Sequence, residues 1–328
     1  MTAIALGCEV VSRSIVIGGK NPVESVLLAI FVGLLIRNFL SVPKIFLPGI
    51  NAFEKILAAG IVLLGLSLSL TEVVNKATGA VGVVLVCLLI APALIYYMGK
   101  WAGLPMKLAT LIGLGTTICG GTAIAIVAPI IDAEDSDVSY SIATIALFGL
   151  AAIFIYPLLG NLLHLTPSQF GIWAGSAIHS TSQVVAAGFL HSEVAGQVAT
   201  LTKLFRNIFI LPAVLFLAYR HLKQSKQKLG KAIKIREIIP WFLYGFLLFV
   251  ILRTLGDHLG WSAYSAWTDT LSLSKTSAKF LILVASGGIG LRSDVFAMRK
   301  IGMRPFLVGL SGSILLGMIS LSLILFVF

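Results

Sequence analysis

The stretch MKLATLIGLGTTICGGTAIAIVAPII, residues 106–131, decides the class of this protein. After Lys107 it reaches residue 131 without a charged side chain. That exceeds the roughly 20 apolar residues needed to cross a hydrocarbon layer about 30 Å thick. Lipid offers no partner for open backbone groups, and the run is too long for a strand, so it reads as helix. In its middle the pair Gly120 and Gly121 sits among Thr116, Thr117 and Thr122. A glycine costs a helix about 1 kcal/mol relative to alanine. Two of them with hydroxyls at membrane depth predict an unwound break. A half-helix restarting near Gly121 would offer free N–H groups and the positive end of its dipole to an anion.

Nine further apolar segments flank this one, at roughly 23–40, 55–74, 78–98, 138–163, 169–190, 198–219, 238–254, 273–291 and 304–327. The expectation is an all-α membrane protein of about ten transmembrane helices, one polytopic domain over residues 1–328. Residues 1–19 carry Glu9 and Arg13 and too short an apolar run to span. They read as the stub of an extra first helix, an eleventh if counted, rather than a cleaved signal. Composition agrees: 58% of residues are apolar and 11% charged, where a soluble domain carries about 25% charged residues. Cys8, Cys87 and Cys119 are an odd, scattered set without metal-ligand spacing, so neither a disulfide framework nor a metal or other cofactor is expected.

The net charge of +11 is a matter of topology, not of nucleic acid. The connection 220–236 holds Arg220, Lys223, Lys226, Lys228, Lys231, Lys234 and Arg236 with no acid, which marks it as cytoplasmic. Alternation over ten spans then puts 16 of the 24 Lys and Arg residues inside. It places the acidic DAEDSD (132–137) outside, together with the longest external connection, about 255–272. That connection is too short for an enzymatic domain. No GxSxG or HExxH pattern occurs, so no enzyme is expected.

Intramembrane polarity concentrates in three segments. The first is 106–131. The second holds GSAIHSTSQVVAAG (175–188), with Ser176, His179, Ser182 and Gln183. His179 and Gln183 share a helix face at i,i+4. The third holds KLFRN (203–207), ending on Asn207, where Lys203 and Arg206 lie about 8–12 Å into the span that begins at 198. Polar groups at such depth face protein or a cavity and are functional candidates. No acid occupies the middle of any span. Two buried cations without a buried acid call for an anion. Classical sodium or proton antiport through buried carboxylates is disfavoured; the coupling ion is left open, with a proton favoured over sodium and coupling through His179 an open route. GIWAG (171–175) reads as a small-residue packing pattern. An internal duplication would match either 63–74 with 286–296 or CGG (119–121) with SGG (286–288); the sequence leaves both open.

The blocks GTTICGGTAIAIVAP (115–129), IFIYPLLG (153–160), FGIWAGSAIHSTSQVVAAG (170–188) and ATLTKLFRNIFILP (199–212) together resemble the YeiH-like membrane proteins, a family named for sulfate export. IGGKNPVESVLLAIFVGLLIRN (17–38) and SGGIGLRSDVF (286–296) fit as well. The resemblance implies export of sulfate or a related small anion such as sulfite or a sulfonate. It also implies inverted five-helix repeats with crossed, discontinuous helices, like those of bile-acid symporters. The signature positions carried over are 118–123, 179–183, Lys203 and Arg206. Members often carry an acid directly after the histidine, where this chain has Ser180, which weakens a shared proton relay.

The resulting expectation is a multi-pass protein of a bacterial inner membrane, a secondary transporter exporting a small anion. A passive channel and a non-transporting membrane sensor or interaction protein are the alternatives. Partners are the anion and the bilayer, with no nucleic acid; a homo-oligomer is compatible. Gly120, Gly121 and Thr122 would supply N–H groups and a hydroxyl, with Thr117 and Cys119 beside them. Lys203 and Arg206 would supply charge. Ser176, His179, Ser182, Gln183 and Asn207 would orient the ligand.

Overall fold

The structure, a computed structural model, describes residues 1–14, 24–40, 42–224, 240–298 and 302–327. Most of the 220–236 connection, together with Lys20, Arg299 and Lys300, lies outside them. The described residues form helices: α1 (Thr2–Ser14), α2 (Ser25–Phe39), α3 (Leu47–Asn51), α4 (Phe53–Leu64), α5 (Leu70–Trp101), α6 (Met106–Thr117), α7 (Gly121–Val127), α8 (Asp135–Leu162), α9 (Pro167–Ala177), α10 (Thr181–His191), α11 (Glu193–Ile208), α12 (Ile210–Gln224), α13 (Trp241–His258), α14 (Ser265–Arg292), α15 (Val295–Met298) and α16 (Met303–Val327). Among them, Lys44–Ser67, Gly79–Trp101, Asp135–Leu162, Glu193–Tyr219 and Met303–Val327 are long and apolar enough to cross a membrane, and Ser25–Phe39 is a shorter apolar helix. Several expected boundaries move. The second segment begins at Lys44 rather than 55, and residues 70–74 belong to α5. The supposed long connection at 255–272 shrinks to 259–264, because α13 and α14 extend into it. Residues 2–14 do form a helix, packed on α2 and α14.

The chain divides into two compact units, Met1–Lys76 with Trp241–Phe296, and Ala77–Pro240 with Ala297–Phe328. In the first, α14 crosses α2 and α4. A methyl group on Gly33 of α2 would lie 2.5 Å from the Gly287 carbonyl oxygen, and one on Gly290 would lie 2.7 Å from the Leu34 nitrogen. Only bare glycine permits that approach, so the SGGIGL stretch is explained by helix contact. Helix α14 runs unbroken through it. The suggested match of CGG with SGG therefore finds no second break there.

In the second unit two of the expected spans turn back on themselves. Helices α6 and α7 have 12 and 7 residues, about 18 and 10 Å of rise, and neither crosses about 30 Å alone. They form a hairpin. Lys107 Nζ, at the start of α6, donates to the carbonyl oxygen of Asp132, beyond the end of α7, at 2.6 Å. Helices α9 and α10 do the same: Phe170, early in α9, stacks on His191, the last residue of α10, with ring centroids 4.0 Å apart. The segments 106–131 and 169–190 are thus re-entrant hairpins and not spans. The acidic stretch 132–137 lies at the same end of the unit as Lys107, which corrects the ten-span alternation. Two hairpins cancel in that count, so the expectation for 220–236 is unchanged.

Helix α8 joins the bases of the two hairpins, which therefore enter from opposite ends of it. It has 28 residues and is about 42 Å long. Helix α11 holds the second hairpin tightly, with Gly171 and Gly175 against Val198 and Thr202. The GIWAG pattern is packing, as expected.

Candidate functional site

The hairpin tips meet beside the middle of α8. The first tip is residues 118–120, where Ile118 (φ −112°, ψ −94°) ends α6 and Gly120 (φ 69°, ψ −130°) starts the return. That dihedral pair is open to glycine and strained for other residues. The second tip is residues 178–180, where Ile178 (ψ 145°) and Ser180 (ψ 147°) are extended between α9 and α10. A methyl group built on Gly120 would lie 3.3 Å from Ile145 Cγ2 and 3.5 Å from Ser180 Cα. The Gln183 carboxamide lies against Gly149. Residues 145 and 149 are near the centre of α8, so both tips sit at its mid-height.

Each tip joins the carbonyl end of one short helix to the amide end of the next. The last carbonyls of a helix lack intrahelical partners, and its C-terminus carries about half a negative charge. Two cations on one face of α11 answer this for both hairpins. Lys203 Nζ donates to the Ile118 oxygen at 2.8 Å, to the Ile178 oxygen at 2.9 Å, and to the His179 oxygen. Arg206 donates through Nη2 to the Thr116 oxygen at 2.6 Å and through Nε to the Thr117 oxygen. Its Nη1 reaches the Ser176 oxygen at 2.6 Å and the Ile178 oxygen at 3.2 Å. Lys203 is 0% and Arg206 1% exposed. Their hydrogen-bond partners are backbone carbonyls, and no described acid pairs with them. Helix α11 starts at Glu193, so both cations lie deeper than a start at 198 implied, and snorkelling to the surface is ruled out.

The two C-terminal ends face the pair, while the two N-terminal ends at the same tips carry dipoles of the opposite sign, so the helix ends together supply no net negative charge.

The other expected residues divide. Thr117 is buried and its hydroxyl donates to the Gly113 oxygen at 2.8 Å. Cys119 is buried in the apolar cluster around the first tip. Gly121 opens α7 with no atom within 4 Å of a methyl group built on it, and Thr122 beside it is exposed. Gln183 Oε1 accepts the Ser180 N–H at 3.0 Å and so caps α10. Ser182 Oγ is 2.9 Å from Ser180 Oγ. Asn207 Nδ2 donates to Thr181 Oγ1 at 3.2 Å. Ser176 is not brought to the tip by its side chain: its hydroxyl lies 2.5 Å from Ser320 Oγ on α16. Sequence reading missed Ser313 of α16, whose Oγ is 3.0 Å from His179 Nε2. One of four serines in an apolar helix, 134 residues from its partner, gives no local signal. Four buried polar atoms around the tips have no protein partner: Thr116 Oγ1, His179 Nδ1, Thr202 Oγ1 and Asn207 Oδ1.

Comparison with known proteins places this sequence in a family. The family described as conserved hypothetical protein 698 matches residues 3–309. A UPF0324 membrane protein of Clostridium tetani is 34% identical over 307 residues, covering 89% of this chain and 86% of its own length. One from Streptococcus pneumoniae is 35% identical over 311 residues, 93% and 90% of the two chains. UPF0324 membrane protein Atu0671 of Agrobacterium fabrum is 34% identical over 312 residues, 94% and 86%. No solved structure matches the chain at a significant level. With the match spanning nearly its whole length, the chain belongs to the conserved hypothetical protein 698 family, the YeiH-like membrane proteins to which its sequence blocks pointed.

Proposed function

We propose that this membrane protein is a secondary transporter of a small anion of the sulfate, sulfite or sulfonate class, working as an exporter from a bacterial inner membrane with residues 220–236 in the cytoplasm. The observation that carries the reading is the meeting of two hairpin tips at mid-height of α8 around two buried cations that have no described acid partner. Broken helices near the bilayer middle are where secondary transporters bind substrate. Lys203 and Arg206 spend their hydrogen bonds on carbonyls, so their contribution is a fixed positive field rather than direct ligation. Direct contacts fall to the amide ends of α10 and α7, with the Thr122 and Ser182 hydroxyls. The partnerless polar atoms at the tips are what a polar ligand or ordered water satisfies.

The test is flux of labelled sulfate, sulfite and taurine in proteoliposomes of the purified protein, with saturation and counterflow measured. Saturable counterflow of one of these anions, lost in Arg206→Gln, is the expected result. Movement of none of them ends the proposal. Electrogenic flux without saturation makes the protein a channel.

A further inference from the structure

His179 makes a hydrogen-bond pattern that fixes its tautomer. Ser313 Oγ has one proton, which it donates to the Gly309 carbonyl oxygen at 2.6 Å. Toward His179 it can therefore only accept, so Nε2 carries a hydrogen across the 3.0 Å contact. Nδ1 has no partner and is buried in a residue 2% exposed. A charged ring would point an N–H at Nδ1 into that site with nothing to receive it. The ring is thus neutral, with a bare acceptor at Nδ1. It sits directly before the amide end of α10, which begins at Thr181.

The charges around it are all of one sign. Lys203 and Arg206 on α11 act on His179. Helices α7 and α9 contain no titratable side chain, the first tip adds Cys119, and α8 adds Tyr156 within the membrane-depth region. In α16 the titratable group is Arg304, at the helix start, remote from Ser313. Among the described residues no carboxylate pairs with this site to stabilise an imidazolium. An anion at the start of α10 would supply both the missing negative charge and an acceptor for an Nδ1–H.

We infer that anion and proton bind this site together: as the anion docks at the hairpin tips, His179 Nδ1 takes one proton from water, and it returns the proton when the anion leaves. This rests on the anion site proposed above and adds its coupling ion. The N–H bond made at Nδ1 is balanced by the bond broken in hydronium or a buffer acid, with the reverse on release, and the combined load is an anion plus a proton. By linkage, one proton taken up per anion corresponds to about tenfold tighter anion binding for each pH unit of acidification.

The experiment is calorimetric titration of sulfate into the purified full chain near neutral pH, in buffers of differing ionisation enthalpy. Sulfate holds no titrating proton there, so proton exchange belongs to the protein. About one proton taken up per sulfate is expected for the wild type. His179→Gln, whose amide nitrogen can still reach Ser313, should take up none. Sulfate binding whose heat is independent of buffer overturns the inference and leaves the anion site standing, as does unchanged uptake in His179→Gln. If neither sulfate nor the other anions bind or move, the anion site itself falls and the coupling with it. The wild-type measurement decides even where the variant does not fold.

Discussion

Lys107 Nζ and the carbonyl oxygen of Asp132 are 2.6 Å apart, although the two residues are 25 positions apart in the sequence with no charged residue between them. A spanning helix would hold them more than 30 Å apart. The contact turns a presumed span into a hairpin and brings its midpoint, not its end, to the partner hairpin.

The hairpin changes which residues share a membrane face. Cysteines introduced at Met106 and Ser136, both exposed, should react with an impermeant maleimide from the same side in oriented vesicles. A cysteine at Ser168, beyond α8, should react from the other side. Labelling of Met106 and Ser136 from opposite sides would restore the ten-span scheme.

The two adjacent glycines have different jobs. Gly120→Ala forces a side chain into φ 69° and toward Ile145, at a cost of about 1–3 kcal/mol. Gly121→Ala meets no atom within 4 Å and gains helix propensity. Thermal denaturation should show a clear loss for the first and little change or a slight gain for the second.

Arg206 ties both hairpins through a planar fork. Arg206→Lys keeps the charge but cannot reach Thr116 and Thr117 on one side and Ser176 and Ile178 on the other at once. Each buried carbonyl left without a donor costs about 1–3 kcal/mol. The variant should melt well below the wild type and lose most flux; wild-type melting and flux would show that charge alone suffices.

Ser320 contacts Ser176 away from the tips. Ser320→Ala should cost about 1 kcal/mol of stability and leave anion flux intact. Loss of flux without loss of stability would bring this face of α9 into the site.

In the first unit, Asn38 matters more than the ion pair beside it. Arg37 and Asp294 pair at 3.0 Å with side chains about one-third exposed, which is worth about 0–1 kcal/mol. Asn38 donates to the Ser293 and Leu34 oxygens at 2.8 and 2.9 Å and accepts the Val295 N–H at 2.8 Å. Asn38→Ala should therefore destabilise more than Asp294→Asn, by about 1–2 kcal/mol or more, as read by melting.

The sequence by itself determined that the chain is helical and membrane-bound, because apolar runs of this length have no other way to satisfy their backbone. It also located the break at Gly120, since glycine is costly in a helix and free at positive φ. It singled out His179, Lys203 and Arg206, since polarity is rare at that depth. Tertiary structure decided the rest. An unwound break leaves the chain free to continue or to reverse, and hydropathy is the same for both. The reversal is visible only in contacts between distant residues such as Lys107 with Asp132 and Phe170 with His191. Likewise, a buried cation calls for negative charge without saying where it comes from. Here the hydrogen bonds of the cations go to the carbonyl ends of α6 and α9, groups that every residue carries and no sequence pattern marks, and the net charge is left to a ligand.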